Sequence, residues 1–190
     1  MQLGIPSGKH VILYHGNMGR KQGLELLPQT AALLAGEHDI LFLLCGEGAA
    51  RAELERLADG LPNVRFLALQ PEDRLNELVN LADVHVLPQR AGAADTVMPS
   101  KLTTMLASGK PVIACAAPGT QLWEVVGQVG VAVKPESAQD LAVAIIALIN
   151  DPAECSRLGE LGREYACQHL EKQVVLANFM TDLSALVETH

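Results

Sequence analysis

Apolar residues fall in short blocks along this chain, and the blocks alternate between two spacings. Residues 10–15 (HVILYH), 39–45 (DILFLLC), 84–87 (VHVL) and 111–115 (PVIAC) are nearly continuous runs. Runs this short and this rich in Val, Ile and Leu predict strands of a parallel sheet covered on both faces. Residues 63–69 and 131–134 predict two further strands. Between the runs, apolar positions recur at helical spacing, which predicts helices over 24–35, 49–58, from Pro71, from Pro99, over 120–126 and over 138–150. A turn is expected at 127–130, and continuous helix from Asp151-Pro152 to about residue 187. Strand and helix thus alternate about six times with crossovers of helical length. The predicted class is α/β: a Rossmann-like, doubly wound parallel sheet of about six strands, with helices on both faces and extra helices at the C-terminal end.

One stretch, residues 96–119 (TVMPSKLTTMLASGKPVIACAAPG), organises the rest. Pro99 suits the first turn of a helix, where its missing N–H costs nothing. Leu102, Met105 and Leu106 form an apolar stripe, and Gly109 followed by Pro111 stops the helix. Ser100, Lys101, Thr104 and Ser108 lie off the stripe. Free N–H groups, a hydroxyl and an ammonium therefore meet at the helix start, which is chemistry suited to an anion; an ordinary solvated helix with a surface lysine reads equally well from these residues alone.

Ligands of open α/β sheets sit beyond the carboxyl ends of the strands. The sequence places there the glycine-rich turn Gly16-Asn17-Met18-Gly19-Arg20-Lys21, the turn Gly46-Glu47-Gly48, the loop from Pro88 and the helix start at Pro99. Arg20, Lys21 and Lys101 are expected to line one mouth. The residues themselves reach as far as a phosphate-containing ligand at the sheet edge.

Composition narrows the partners. The 190 residues suffice for a single domain, 1–190, and with 49% apolar but 3% aromatic residues its core is expected to be aliphatic. A net charge of −8 argues against general nucleic-acid binding. No run approaches the roughly 18 apolar residues of a spanning helix, and the first ten residues do not resemble a signal peptide. The four cysteines lack CxxC spacing and the six histidines lack HExxH, so reduced thiols, no metal requirement and a cytoplasmic location are expected.

Four pieces, ILYHGNMGRKQGLELL, FLLCGEGAARAELERLA, NVRFLALQPEDRLNELVNLADVHVLPQ and MPSKLTTMLASGKPVIACAAPGTQLWEVV, occur in an order that resembles the C-terminal, donor-binding half of GT-B retaining glycosyltransferases. The resemblance is to the family 4-like group that includes capsule and exopolysaccharide enzymes, and within it to PSKL-type members similar to colanic acid fucosyltransferases. It implies transfer of a sugar from a UDP-sugar or GDP-sugar, without a cofactor or metal, to a glycan or lipid-linked acceptor. It implies that Gly16 brings backbone amides to the diphosphate, that main chain around Leu67 meets the base, and that Ser100 and Lys101 hold the diphosphate. The family's two glutamates fall on Thr104, expected at the ribose, and Thr96, beside Asp95 and expected near the sugar. Its usual Arg and Lys fall on Asn17 and Gln22, with Arg20 and Lys21 close by, and Glu124 matches a recurrent family glutamate.

The resemblance also implies that the acceptor-binding half is absent from this chain and that the last helices lack their natural partner. Donor binding without efficient transfer is then expected, at the cytoplasmic side and peripheral to the inner membrane in the full-length enzyme. A sugar-nucleotide 2-epimerase of the same architecture and a non-catalytic nucleotide-binding module are the alternatives. A dinucleotide-dependent oxidoreductase fits less well, because GNMGRKQG is not GxGxxG.

Overall fold

The computed structural model describes residues 5–92 and 98–188. Six strands form one sheet: β1 (His10–His15), β2 (Ile40–Cys45), β3 (Val64–Leu67), β4 (Val84–Pro88), β5 (Val112–Cys115) and β6 (Val131–Val133). Their order is β3-β2-β1-β4-β5-β6, and every neighbouring pair is parallel. The chain leaves β1 toward one edge and returns beside it to build toward the other. The carboxyl ends of β1 and β4 therefore flank the switch point at which such sheets bind ligands.

Among the described residues, eight α-helices connect and cover the strands: α1 (Leu26–Leu33), α2 (Arg51–Leu57), α3 (Leu75–Asn80), α4 (Ser100–Ala107), α5 (Gln121–Val129), α6 (Ala138–Ile149), α7 (Pro152–Tyr165) and α8 (Lys172–Glu188). The two-residue period of the strands sorts their side chains between layers. Ile12, Tyr14, Phe42, Leu44, Val84 and Val86 pack with Leu27 of α1, Leu54 of α2 and Ile145 of α6. On the other face Leu13 and Leu43 meet Leu78 of α3, while Leu87, Val112 and Ala114 meet Met105 of α4 and Val126 of α5. The core is aliphatic, as the composition implies, and helices cover both faces.

Three element boundaries differ from the sequence expectation. Pro99 is the extended residue before α4 (φ −60°, ψ 121°) rather than its first helical residue. Helix α5 runs through Gly127 to Val129, where a turn is expected. Val126 and Val129 are buried, so packing carries the helix across a glycine that faces open space. The C-terminal helical stretch is interrupted: a five-residue π-helical turn (Ala166–Leu170) leads to Glu171, extended at ψ 138°, before α8 begins. Leu170 packs against the cluster under α4 and α5, which anchors the break. Helix α8 leaves Val175, Leu176, Phe179, Met180 and Leu183 exposed.

Candidate functional site

The turns after β1 and β2 are knitted together at the carboxyl edge of the sheet. The Gly16 N–H donates to the Cys45 carbonyl at 2.9 Å, the Met18 N–H to Glu47 at 2.8 Å, and the Ala50 N–H to Met18 at 2.9 Å. A side chain on Gly46 would place its Cβ 1.9 Å from the Gly16 carbonyl oxygen, so these backbones approach as only glycine permits. Gly16 itself has φ +113°. A Cβ there would lie 2.6 Å from Cε of Lys101.

Lys101 therefore lies directly over the end of β1. It starts from α4, on one face of the sheet, and its ammonium reaches Tyr14, whose ring packs on the other. The Lys101 Nζ donates to the Tyr14 hydroxyl at 2.5 Å and to the Asn17 carbonyl at 3.2 Å, and sits 4.5 Å from the Tyr14 ring centroid. Burial pulls its titration down from the ordinary lysine range to about 8. All these partners are uncharged, so the ammonium is oriented without being neutralised.

Among the described residues, the α4 start beside it has no side-chain cap. The Leu102 N–H bonds back to the Pro99 carbonyl at 2.9 Å, while the N–H groups of the first turn point outward from the helix end. Ser100, Lys101 and Pro99 line a cavity of about 260 Å³ with Lys21, Gln22, Leu87 and Gln89. Lys21 and Lys101 thus share one opening. Arg20 lines a neighbouring one instead, with the carboxylates of Glu25 and Glu53 and with Arg90, so the expected cluster of three cations is divided.

The other residues singled out from the sequence are scattered around this opening. The Leu67 carbonyl already accepts from Gly46 N–H at 3.1 Å and from Arg51 Nη1 at 3.0 Å. Thr104 is half-buried one turn into α4, and Glu124 is exposed in the first turn of α5. Asp95 and Thr96 lie outside the described residues. Two larger cavities, of about 310 and 390 Å³, open at the opposite edge where the strands begin. They are larger, but the uncapped helix start and the half-buried ammonium, groups suited to an anion, are at the carboxyl edge.

Sequence reasoning missed two residues here. Tyr14 reads as one more core residue of a strand. Arg51 reads as one of the polar residues on the solvent side of the predicted helix over 49–58, and there it pairs with the Glu55 carboxylate at 2.9 Å. Its Nη1 also ties the ends of β2 and β3 together by donating to the carbonyls of Gly46 (2.6 Å) and Leu67. Beneath the opening, His15 and His85 meet edge to face at 6.0 Å, and His85 Nε2 lies 3.1 Å from the Ser108 hydroxyl. Burial, reinforced by the Lys101 charge, lowers His15 to about 4; burial, reinforced by His15, lowers His85 to about 3. Both rings are neutral at pH 7.

Comparison with known proteins gives this edge a chemical context. Residues 9–151, more than half of the chain, match the family described as Glycosyl transferases group 1. The chain belongs to this family. It is 39% identical over 187 residues to WcaI of Escherichia coli (strain K12), named as a colanic acid biosynthesis glycosyl transferase; the match covers 96% of this chain and 45% of WcaI. Among solved structures, sucrose-phosphate synthase from Thermosynechococcus elongatus superposes with a TM-score of 0.77 at 23% identity, covering all of this chain and 48% of that one. Anabaena Alr3699/HepE, solved in complex with UDP-glucose, superposes with a TM-score of 0.75 at 21% identity, covering 93% of this chain and 49% of that one. The fold is that of a C-terminal GT-B domain. The chain spans about half the length of the relatives it matches. Among the described residues, no helix is long and apolar enough to cross a membrane.

Proposed function

We propose that this chain is the donor-binding half of a glycosyltransferase of polysaccharide biosynthesis. In this reading a UDP-sugar or GDP-sugar docks at the carboxyl edge with its diphosphate at the start of α4. The observation that carries it is the Lys101 ammonium, held over the end of β1 beside a helix start without a side-chain cap. A diphosphate there gains a charge-assisted bond and the open N–H groups of the first turn. Ser100 and Lys21 are the adjacent polar groups of the same cavity. Asn17, Gly16 and main chain near Leu67 would border the phosphates and base, Thr104 the ribose, and Asp95 and Thr96 the sugar, with Glu124 a further donor-binding residue.

The acceptor, a glycan or lipid-linked sugar, would bind to a second half of the full-length protein at the cytoplasmic membrane face. The exposed apolar residues of α8 and the greater length of the relatives support such a second half. The isolated chain is then expected to bind donor but form negligible product. No metal or cofactor enters this reading.

Calorimetric titration of Lys101→Ala with UDP, GDP, uridine and guanosine tests it. Loss of one charge-assisted bond costs about 1.5–3 kcal/mol, roughly 10- to 150-fold in affinity. Diphosphate binding should fall by that factor, with nucleoside binding and the thermal melt nearly unchanged. Because the Lys101 titration is lowered to about 8, wild-type diphosphate affinity should also decline above that pH as the ammonium loses its proton. Equal losses for nucleoside and diphosphate, or none for either, would return Lys101 to a surface role.

A further inference from the structure

Tyr14 is 1% exposed in a strand otherwise filled by Val, Ile, Leu and His, and it is the only side chain there to send a hydroxyl to the sheet edge. That hydroxyl has three neighbours: Lys101 Nζ at 2.5 Å, the Asn17 carbonyl at 2.6 Å and Gln22 Oε1 at 2.8 Å. A phenol has one proton to give and lone pairs to accept with. It accepts from the ammonium and donates to one of the two oxygens. Gln22 Oε1 in turn accepts from the Gly19 N–H at 3.2 Å. One buried oxygen thereby connects α4 to both ends of the turn after β1. Burial pushes the Tyr14 titration up, so the hydroxyl stays protonated and neutral.

We infer that Tyr14 is a positioning residue for phosphate recognition, its hydroxyl holding the Lys101 ammonium across Gly16 and locking it to the turn that follows β1. The inference rests on the proposed reading of this edge as a diphosphate site. Tyr14 touches no donor atom in this scheme; it acts through Lys101. A free lysine side chain would lose rotamer freedom when a diphosphate binds, whereas one already fixed loses little. A carboxylate could fix it as well, but would neutralise the charge that the diphosphate requires. A neutral phenol fixes it and leaves the charge available.

The test combines a mutant cycle with a measurement that needs no ligand. Tyr14→Phe keeps the ring and removes the hydroxyl. It should weaken UDP and GDP binding about ten-fold, the low end of losing a charge-assisted contact, with uridine and guanosine unchanged. In a Lys101→Ala background the same substitution should have no further effect on diphosphate binding. Independent, additive losses, or an effect on nucleosides equal to that on diphosphates, would overturn the inference and reduce Tyr14 to a core residue.

The chain has only two tyrosines, Tyr14 and Tyr165. In ligand-free protein with ¹³C-labelled tyrosine rings, Lys101→Ala should shift the Tyr14 signal and leave Tyr165 in place. An unmoved Tyr14 signal would overturn the inference even where Tyr14→Phe does not fold. If the Tyr14 signal shifts but Lys101→Ala leaves UDP and GDP binding intact, the contact stands and the diphosphate reading fails; the role of Tyr14 in phosphate recognition fails with it.

Discussion

Helices α4 and α6 both begin from an extended residue, yet they begin differently. At α6 the Ser137 hydroxyl accepts from the Asp140 N–H at 3.2 Å, and Asp140 itself is an acid in the first turn. Helix α5 repeats the pattern with Thr120 and Glu124, and α7 with Asp151 and Glu154. At α4 the preceding residue is Pro99, whose side chain can cap nothing, and the first turn carries Lys101 instead of an acid. Among the four helices α4 to α7, α4 alone lacks a side-chain cap from the residue that precedes it. Both departures work against the helix, because an N-terminal cation opposes the macrodipole and an absent cap leaves N–H groups unsatisfied. Departures of this kind from local rules are expected at functional sites. Helices α1 to α3 also lack side-chain caps, but they grow from residues already in helical conformation, Glu25, Ala50 and Arg74.

The largest effect that separates the two regions should come from acid. His15 and His85 lie on the α4 side of the sheet, His85 against Ser108 just past the end of α4. Their folded values, about 4 and about 3, lie below the 6.5 of a free imidazole. The unfolded chain therefore binds more protons below pH 6.5, and stability falls as pH drops from 6.5 toward 4. At about 1.4 kcal/mol per pH unit, His15 alone should cost about 2 kcal/mol at pH 5 relative to pH 7. Urea melts of wild type and His15→Gln at both pH values check this. The variant should lose less on acidification by about that amount; parallel losses would remove His15 from the account.

How far these differences could be read in advance depends on what each residue does locally. The strands were legible because continuous Val, Ile and Leu runs leave few other options, and residues 10–15 and 112–115 fold as their pattern requires. Helix α5 overran its predicted end because burial of Val126 and Val129 outweighs the propensity cost of Gly127. At the site, Lys101 was legible from its place one residue after Pro99-Ser100, off the apolar stripe. The division of Arg20 from Lys21 was not: both occupy one short 3-10 turn, and only the path of the loop sends them to different openings. Tyr14 was illegible for a related reason. Its ring obeys the strand pattern, and only the fold reveals that its hydroxyl emerges beside a lysine 87 residues away in the sequence.

An intermediate effect should follow from giving α4 the start that α7 has. Pro99→Asp would supply an oxygen for the first-turn N–H groups and a charge that suits the dipole. N-capping oxygens contribute about 1 kcal/mol, so the melt should rise modestly. The same carboxylate would occupy the N–H groups a diphosphate needs and would repel it, so UDP and GDP affinity should fall by about ten-fold or more. A stabilised variant with undiminished diphosphate binding would show that the helix start is not used.

The smallest expected effect is the reciprocal change. Ser137→Ala removes the α6 cap, and its bond to Asp140 N–H is the only one the Ser137 side chain makes among the described contacts. The expected cost is about 1 kcal/mol of stability, the usual value for such a cap. Helix α6 packs on α1 and lies across the sheet from α4, so the opening around Lys101 is untouched. Diphosphate affinity measured well below the denaturation midpoint should therefore equal that of wild type. A matched loss of both stability and affinity would mean that the two helix starts are energetically coupled, and the contrast between a start built for folding and one kept open for a ligand would not hold.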